Sequence, residues 1–211
     1  MVGSHRTEGL NWVATSKDSQ EMKERYSEWA VGYEETVVQA GCLGPKRAAD
    51  IVASRVSTDS RILDAGAGTG AVGVELEKLG FTHITGIDLS PGMLEVAKSK
   101  GVYEALQEEE LGTALNLPTD GFDATACVAT LTIAHAPPDS LDELLRVTVP
   151  GGVIVFTMRP EAYENNGFKE KQASLEDQGK WKLVERSEPF RPLPDTEPDM
   201  TYVMWAYEVL P

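Results

Sequence analysis

The run Ile62-Leu63-Asp64-Ala65-Gly66-Ala67-Gly68-Thr69-Gly70 limits what this chain can fold into more than any other stretch. An apolar pair ends in a carboxylate, and glycines then take alternate positions. Glycine accepts positive φ without steric cost and lets a second molecule approach bare backbone. The pattern therefore predicts a buried strand that turns sharply into a helix. The first N–H groups of that helix have no partners inside it, so they attract acceptors or anions. Asp64 at the strand end, facing the loop, suits a ligand that carries positive charge.

The same residues satisfy a second pattern. Gly68-Thr69-Gly70-Ala71-Val72-Gly73 fits G-x-G-x-x-G, the dinucleotide fingerprint, and Asp88 supplies the acidic residue expected about 20 positions on. Asp64 before the loop argues against a pyrophosphate ligand. So does the length of 211 residues, because a dehydrogenase usually needs a further substrate domain.

Elements predicted on either side alternate. Tyr26, Trp29, Ala30 and Tyr33 recur at helical spacing from Glu21 onward. Gly41 to Pro45 interrupts them, and a second helix covers about Lys46 to Val56. Strands are expected at 61–64, 84–87, near 103–107, at 122–133 and at 153–158, with helices between them. The second of those helices opens on Ser90 as N-cap with Pro91 behind it. A helix at about 139–147 leads to a turn at Pro150-Gly151-Gly152, and another covers about 169–178. Two strands, 181–186 and 201–209, follow with only a loop between them, so they can pair antiparallel. Residues 1–20 lack periodicity and read as a mobile arm. Residues 21–211 read as one domain, with a helical cap at about 21–57.

Composition excludes several function classes. Thirty-four acidic residues against 19 basic ones give a net charge of −15, which repels a phosphate backbone, so no nucleic-acid partner is expected. Cys42 and Cys127 are far apart and show no metal-ligand spacing. The first ten residues lack an apolar signal core, and the longest apolar stretch, near 124–134, is too short to span a membrane. These features predict a cytoplasmic protein with no metal and no membrane partner.

The glycine loop resembles that of the class I S-adenosylmethionine (SAM)-dependent methyltransferases. The likeness continues through Gly86-Ile87-Asp88-Leu89-Ser90 with Met93-Leu94, through Phe122-Asp123-Ala124, and through Leu144-Leu145-Arg146 to Pro150-Gly151-Gly152. Tyr26-Ser27-Glu28-Trp29-Ala30, Gly44-Pro45, Thr132-Ile133-Ala134-His135-Ala136-Pro137 and Gly179-Lys180-Trp181 point to one subgroup of that family. The resemblance implies an α/β, Rossmann-like sheet of seven strands, the last antiparallel, with helices on both faces.

It also implies SAM as cofactor and S-adenosylhomocysteine as product. Asp88 would accept hydrogen bonds from the ribose hydroxyls, although a cap on the following helix is its plainer role. Asp64 would reach the amino group, directly or through water, or simply hold the loop. Gly66, Ala67 and Gly68 would form the cofactor loop, with Leu89 and Met93 behind Asp88. Glu110 with Leu111 corresponds to the acidic residue beside the adenine, and the run of glutamates leaves its register open. Val128 would flank the methyl group, with Ala129 and Thr130. Tyr26, with Trp29 and Tyr33, resembles a lid over SAM. His135 is the candidate general base. A small-molecule acceptor fits the chain better than a protein, since no docking domain is evident. Methylation of a polypeptide and SAM binding without catalysis are the alternatives.

Overall fold

The computed structural model describes residues 9, 12, 13, 15–35, 41–132, 136–195 and 197–211. Most of the expected N-terminal arm lies outside these residues. Its last part does not, because α1 spans Ser19–Tyr33. Asp18 starts that helix by accepting from the Glu21 N–H at 2.8 Å, and the Glu21 carboxylate accepts from the Lys17 N–H at 2.8 Å. This reciprocal arrangement satisfies N–H groups that the helix itself cannot.

Helix α2 (Leu43–Arg55) leads into β1 (Ile62–Ala65). There follow α3 (Ala71–Lys78), β2 (Ile84–Asp88), α4 (Pro91–Ser99), β3 (Ala105–Glu108) and β4 (Phe122–Cys127). The rest comprises α5 (Ser140–Val147), β5 (Thr148–Met158), α6 (Pro160–Asn165), α7 (Phe168–Asp177), β6 (Trp181–Arg186) and β7 (Val203–Val209). The sheet order is β3-β2-β1-β4-β5-β7-β6. The first five strands are parallel, and β7 lies antiparallel between β5 and β6. This is the expected seven-stranded Rossmann-like sheet.

Both faces of the sheet are covered, which is why β1 is buried at every residue and shows no polar alternation. Leu63, Ile87, Leu141, Phe156 and Trp205 belong to the core on one face. Ile62, Ile84, Val72, Leu76 and Val155 belong to the core on the other. Burying such side chains contributes about 1.5–3 kcal/mol each.

Two strand boundaries and one added helix depart most from the sequence reading. Strand β4 stops at Cys127 instead of Ile133, because Ala129 adopts φ 61°, which no strand accommodates. The Thr157 hydroxyl holds this turn by accepting from the Ala129 N–H at 2.8 Å. Strand β5 begins at Thr148 and runs through the expected turn Pro150-Gly151-Gly152. Gly151 at φ 82° and a register shift against β4 between Phe122 and Ala124 mark an irregularity there, without ending the strand. Helix α6 was not expected; Pro160 opens it. Among the described residues no helix is long and apolar enough to cross a membrane.

Candidate functional site

Strand β1 has β2 on one side and β4 on the other, so the chain crosses the sheet in opposite directions from β1. In open α/β sheets such a switch leaves a crevice at the carboxyl ends of the strands. A cleft lies there, lined by Gly66, Gly68, Asp88, Leu89, Ser90, Met93, Glu109, Glu110, Leu111, Val128, Ala129 and Thr130. Met22, Lys23, Tyr26 and Tyr33 of α1 close it from above.

The loop after β1 is tied down from behind. The N–H groups of Gly66 and Ala67 both donate to the Ile87 carbonyl at 2.8 Å, locking the loop to β2. Gly66 has φ 75°, and a Cβ there would stand 2.3 Å from the Thr130 Oγ1, so Thr130 of the β4 loop packs where any other residue would carry its side chain. Gly68 has φ 53° and nothing within 4 Å of its Cβ position. The bare backbone of Gly68 therefore borders space open to a ligand.

Asp88 completes the floor. Its Oδ2 accepts from the Gly68 N–H and its Oδ1 from the Ser90 N–H, each at 2.8 Å. Burial pushes its carboxyl up, while these two backbone donors hold it down. Each oxygen keeps a further lone pair, so the carboxylate can still accept from a diol. The Ser90 hydroxyl caps α4 by accepting from the Met93 N–H at 3.2 Å.

Asp64 lies elsewhere. It is fully buried, outside the cleft lining, and its Oδ2 accepts from the Tyr103 hydroxyl at 2.7 Å. Burial raises its carboxyl to about 7, opposed by Tyr103 and the Gly73 N–H and assisted by the charge of Asp88. Its Oδ1 is buried without a hydrogen-bond partner. A Cβ on Gly73 would meet the Tyr103 hydroxyl at 2.4 Å, so the last glycine of the G-x-G-x-x-G pattern makes room for Tyr103 and not for a ligand. Ala67 is buried in the loop, behind the cleft.

The other expected residues gather as follows. Tyr26, Leu89, Met93, Glu110, Leu111 and Val128 line the cleft together with Asp88. Glu109 and Glu110 both reach it, so the open register resolves into two neighbouring carboxylates. His135 lies outside the described residues. Among the described residues no cluster of His, Cys, Asp and Glu could hold a metal. Met22 and Lys23 escaped sequence reading, although they precede Tyr26 by four and three positions and so share its helical face.

The cleft fits a ligand with a diol, a flat base and a cationic centre. Carboxylates stand at Asp88 and at Glu109 and Glu110, bare backbone lies at Gly68, and phenol rings lie at Tyr26 and Tyr33. Those rings meet edge-on, with centroids 6.4 Å apart at 75°. Burial raises both phenols well above their usual range, so they remain neutral. Such rings attract a cation at the cleft.

Comparison with known proteins agrees with this geometry. Residues 63–156 match the methyltransferase domain family. The chain is 35% identical over 164 residues to methyltransferase-like protein 27 of Homo sapiens, covering 74% of this chain and 66% of that protein. It is 38% identical over 113 residues to demethylmenaquinone methyltransferase of Clavibacter sepedonicus, covering 51% of this chain and 46% of that one. The chain thus spans less than two thirds of the length of these curated relatives. Magnesium protoporphyrin IX methyltransferase from Synechocystis, solved with bound SAM, superposes with a TM-score of 0.68 at 15% identity, covering 93% of this chain and 99% of that one.

Proposed function

Because this chain belongs to the class I SAM-dependent methyltransferases, with SAM as cofactor, we propose that it transfers the methyl group of SAM to a small-molecule acceptor. The observation that carries this reading is the Gly68–Asp88 floor, a ligand-open glycine whose N–H is held by the carboxylate that ends β2. Bound SAM would supply a sulfonium-activated methyl, open to an acceptor lone pair as the carbon–sulfur bond breaks and its electron pair stays on sulfur.

The residues of the chain then act by alignment and exclusion of water. Asp88 accepts from the ribose hydroxyls. Glu110 accepts from the adenine amino group, with Leu111 and Leu89 against the base. Gly66 and Gly68 border the methionine end, where Asp64 acts through the loop. Val128, Ala129 and Thr130 form the wall on the β4 side. Tyr26 and Tyr33 cover the site from α1. His135 takes a proton from those acceptors that must lose one.

Isothermal titration tests the reading. Wild type binds SAM, and Asp88→Asn, which keeps the shape but removes the charge, binds it about tenfold or more weakly. Unchanged affinity in the variant would sink the ribose assignment. Transfer of labelled methyl from SAM into a metabolite extract tests catalysis separately, and a protein that binds SAM but labels no small molecule contradicts the acceptor class.

A further inference from the structure

The wall of the cleft on the β4 side is a short span between two buried anchors. Cys127 ends β4 and Leu131 returns to the core, so Val128, Ala129 and Thr130 carry the chain past the cleft. Thr130 meets the glycine loop on the way. Its side chain fills the place of a Gly66 Cβ, and its hydroxyl lies 3.1 Å from the Val128 carbonyl and 3.4 Å from the Gly66 carbonyl. Gly66 is itself locked to β2 through the Ile87 carbonyl, so the seat of Thr130 is fixed.

The turn that delivers Thr130 to that seat is strained. Ala129 holds φ 61°. Among the described residues Asp120 is the other non-glycine residue with positive φ, and a short polar side chain eases that conformation. Alanine has no such relief, and a left-handed residue of its kind persists only where its surroundings impose it. The Ala129 N–H donates to the Thr157 Oγ1 at 2.8 Å, which ties the turn to β5.

Apolar packing does not explain a threonine at 157. Strand alternation puts Thr157 on the face of Val153 and Val155, and it is buried there. Valine has nearly the same shape and buries no polar atom, so the core alone would favour valine. Cys127 of β4 pairs with Phe156 of β5, so Thr157 stands level with Val128, one residue before the turn. It does not line the cleft. The feature that sets its hydroxyl apart from a methyl group is the bond to Ala129.

We infer that Thr157 is a positioning residue for the methyl end of the cleft. By holding Ala129 in its left-handed conformation, it seats Thr130 on Gly66 and fixes the wall along which the acceptor reaches the sulfonium. The inference rests on the methyltransferase reading above and adds to it a residue that touches neither cofactor nor acceptor. An in-line displacement tolerates little misplacement, so a wall held from behind serves alignment.

Titration of the full chain with S-adenosylhomocysteine and with adenosine tests this. Adenosine keeps the base and the diol and lacks the methionine end. Thr157→Val removes the acceptor of the Ala129 N–H. S-adenosylhomocysteine then binds about tenfold more weakly, while adenosine stays within about twofold of wild type. Thr157→Ser keeps the hydroxyl and holds both affinities within about twofold of wild type. Ala129→Gly added to Thr157→Val regains most of the lost affinity, because glycine holds a positive φ unaided. A merely structural role for Thr157 would move both ligands together, and glycine at 129 would not correct it. Unchanged S-adenosylhomocysteine affinity in Thr157→Val, equal losses for the two ligands, or no recovery in the double variant overturns the inference and leaves the methyltransferase reading standing. A Thr157→Val chain that stays unfolded even with Ala129→Gly overturns it as well. Failure of the wild-type chain to bind S-adenosylhomocysteine overturns both.

Discussion

Two aspartates 24 positions apart, Asp64 and Asp88, do different work although one lies next to the end of β1 and the other ends β2, beneath one glycine loop. Asp88 was legible because strand-end acid, N-cap serine and N1 proline follow one another locally. The burial of Asp64 was not, because its partner Tyr103 is 39 residues away and only the folded sheet brings them together. Its carboxyl is raised from 3.8 to about 7, so the folded chain binds this proton more tightly than the unfolded chain. The stabilisation linked to that proton is complete below the unfolded value and is lost as pH rises through about 7. Wild type should therefore lose stability relative to Asp64→Asn between about pH 4 and pH 8, by at most about 4 kcal/mol. Urea unfolding at both pH values measures this, and a wild type that gains on the variant as pH rises contradicts it. Tyr103→Phe should cost about 1–3 kcal/mol at neutral pH, because it strips a buried carboxyl of its hydroxyl partner.

Among the elements, α1 is the one whose function depends on a single seam. Its Ser27 hydroxyl lies 3.0 Å from the Ser90 hydroxyl, and a Cβ on Gly92 would stand 2.6 Å from the Ser27 backbone. Lys23 and Glu34 pair with Glu108 and Lys100 on either side. Gly92→Val should push α1 off α4. SAM binding by titration should then fall about tenfold, and hydrogen exchange across residues 19–33 should quicken while β1 and β4 keep their protection. Exchange that quickens equally in the sheet would show global damage instead. The helical period of α1 was readable from Tyr26 and Tyr33, whereas its seat on Gly92 was not, since small residues carry no periodic signal. The ends of β4 and β5 misled for a related reason. The apolar run past Cys127 resembles strand in composition, but the left-handed Ala129 depends on Thr157, a residue from the neighbouring strand.

For the whole molecule, the five parallel strands followed from the alternation of elements, because parallel neighbours need crossover helices, whereas their order across the sheet came only with the folded structure. The two helix-free strands at the end indicated the antiparallel pair. Where β7 inserts came only with the family resemblance. The surface carries a net charge of −15, and its exposed ion pairs, such as Lys46–Asp50 and Lys78–Glu75, contribute little. Self-repulsion should therefore dominate the salt response. Calorimetry from low salt to about 0.5 M sodium chloride should show the thermal midpoint rising by a few degrees, as screening shortens to a few ångströms. A midpoint that falls with salt would mean that the ion pairs outweigh the repulsion.

The seam under α1 also has a kinetic meaning. Its contacts join positions far apart in the chain, with Ser27 and Ser90 separated by 63 residues and Lys23 and Glu108 by 85. The chain emerges from the ribosome amino end first, at about 5–20 residues per second. Helix α1 is thus made several seconds before β3 and α4, the surfaces that receive it. Contacts of such long sequence separation form late, once the loop between them has closed. The cover of the cofactor cleft is made before the surfaces that receive it and is the last to settle, and until it does, a newborn chain presents its phenol-lined face to whatever chaperone or ligand arrives first.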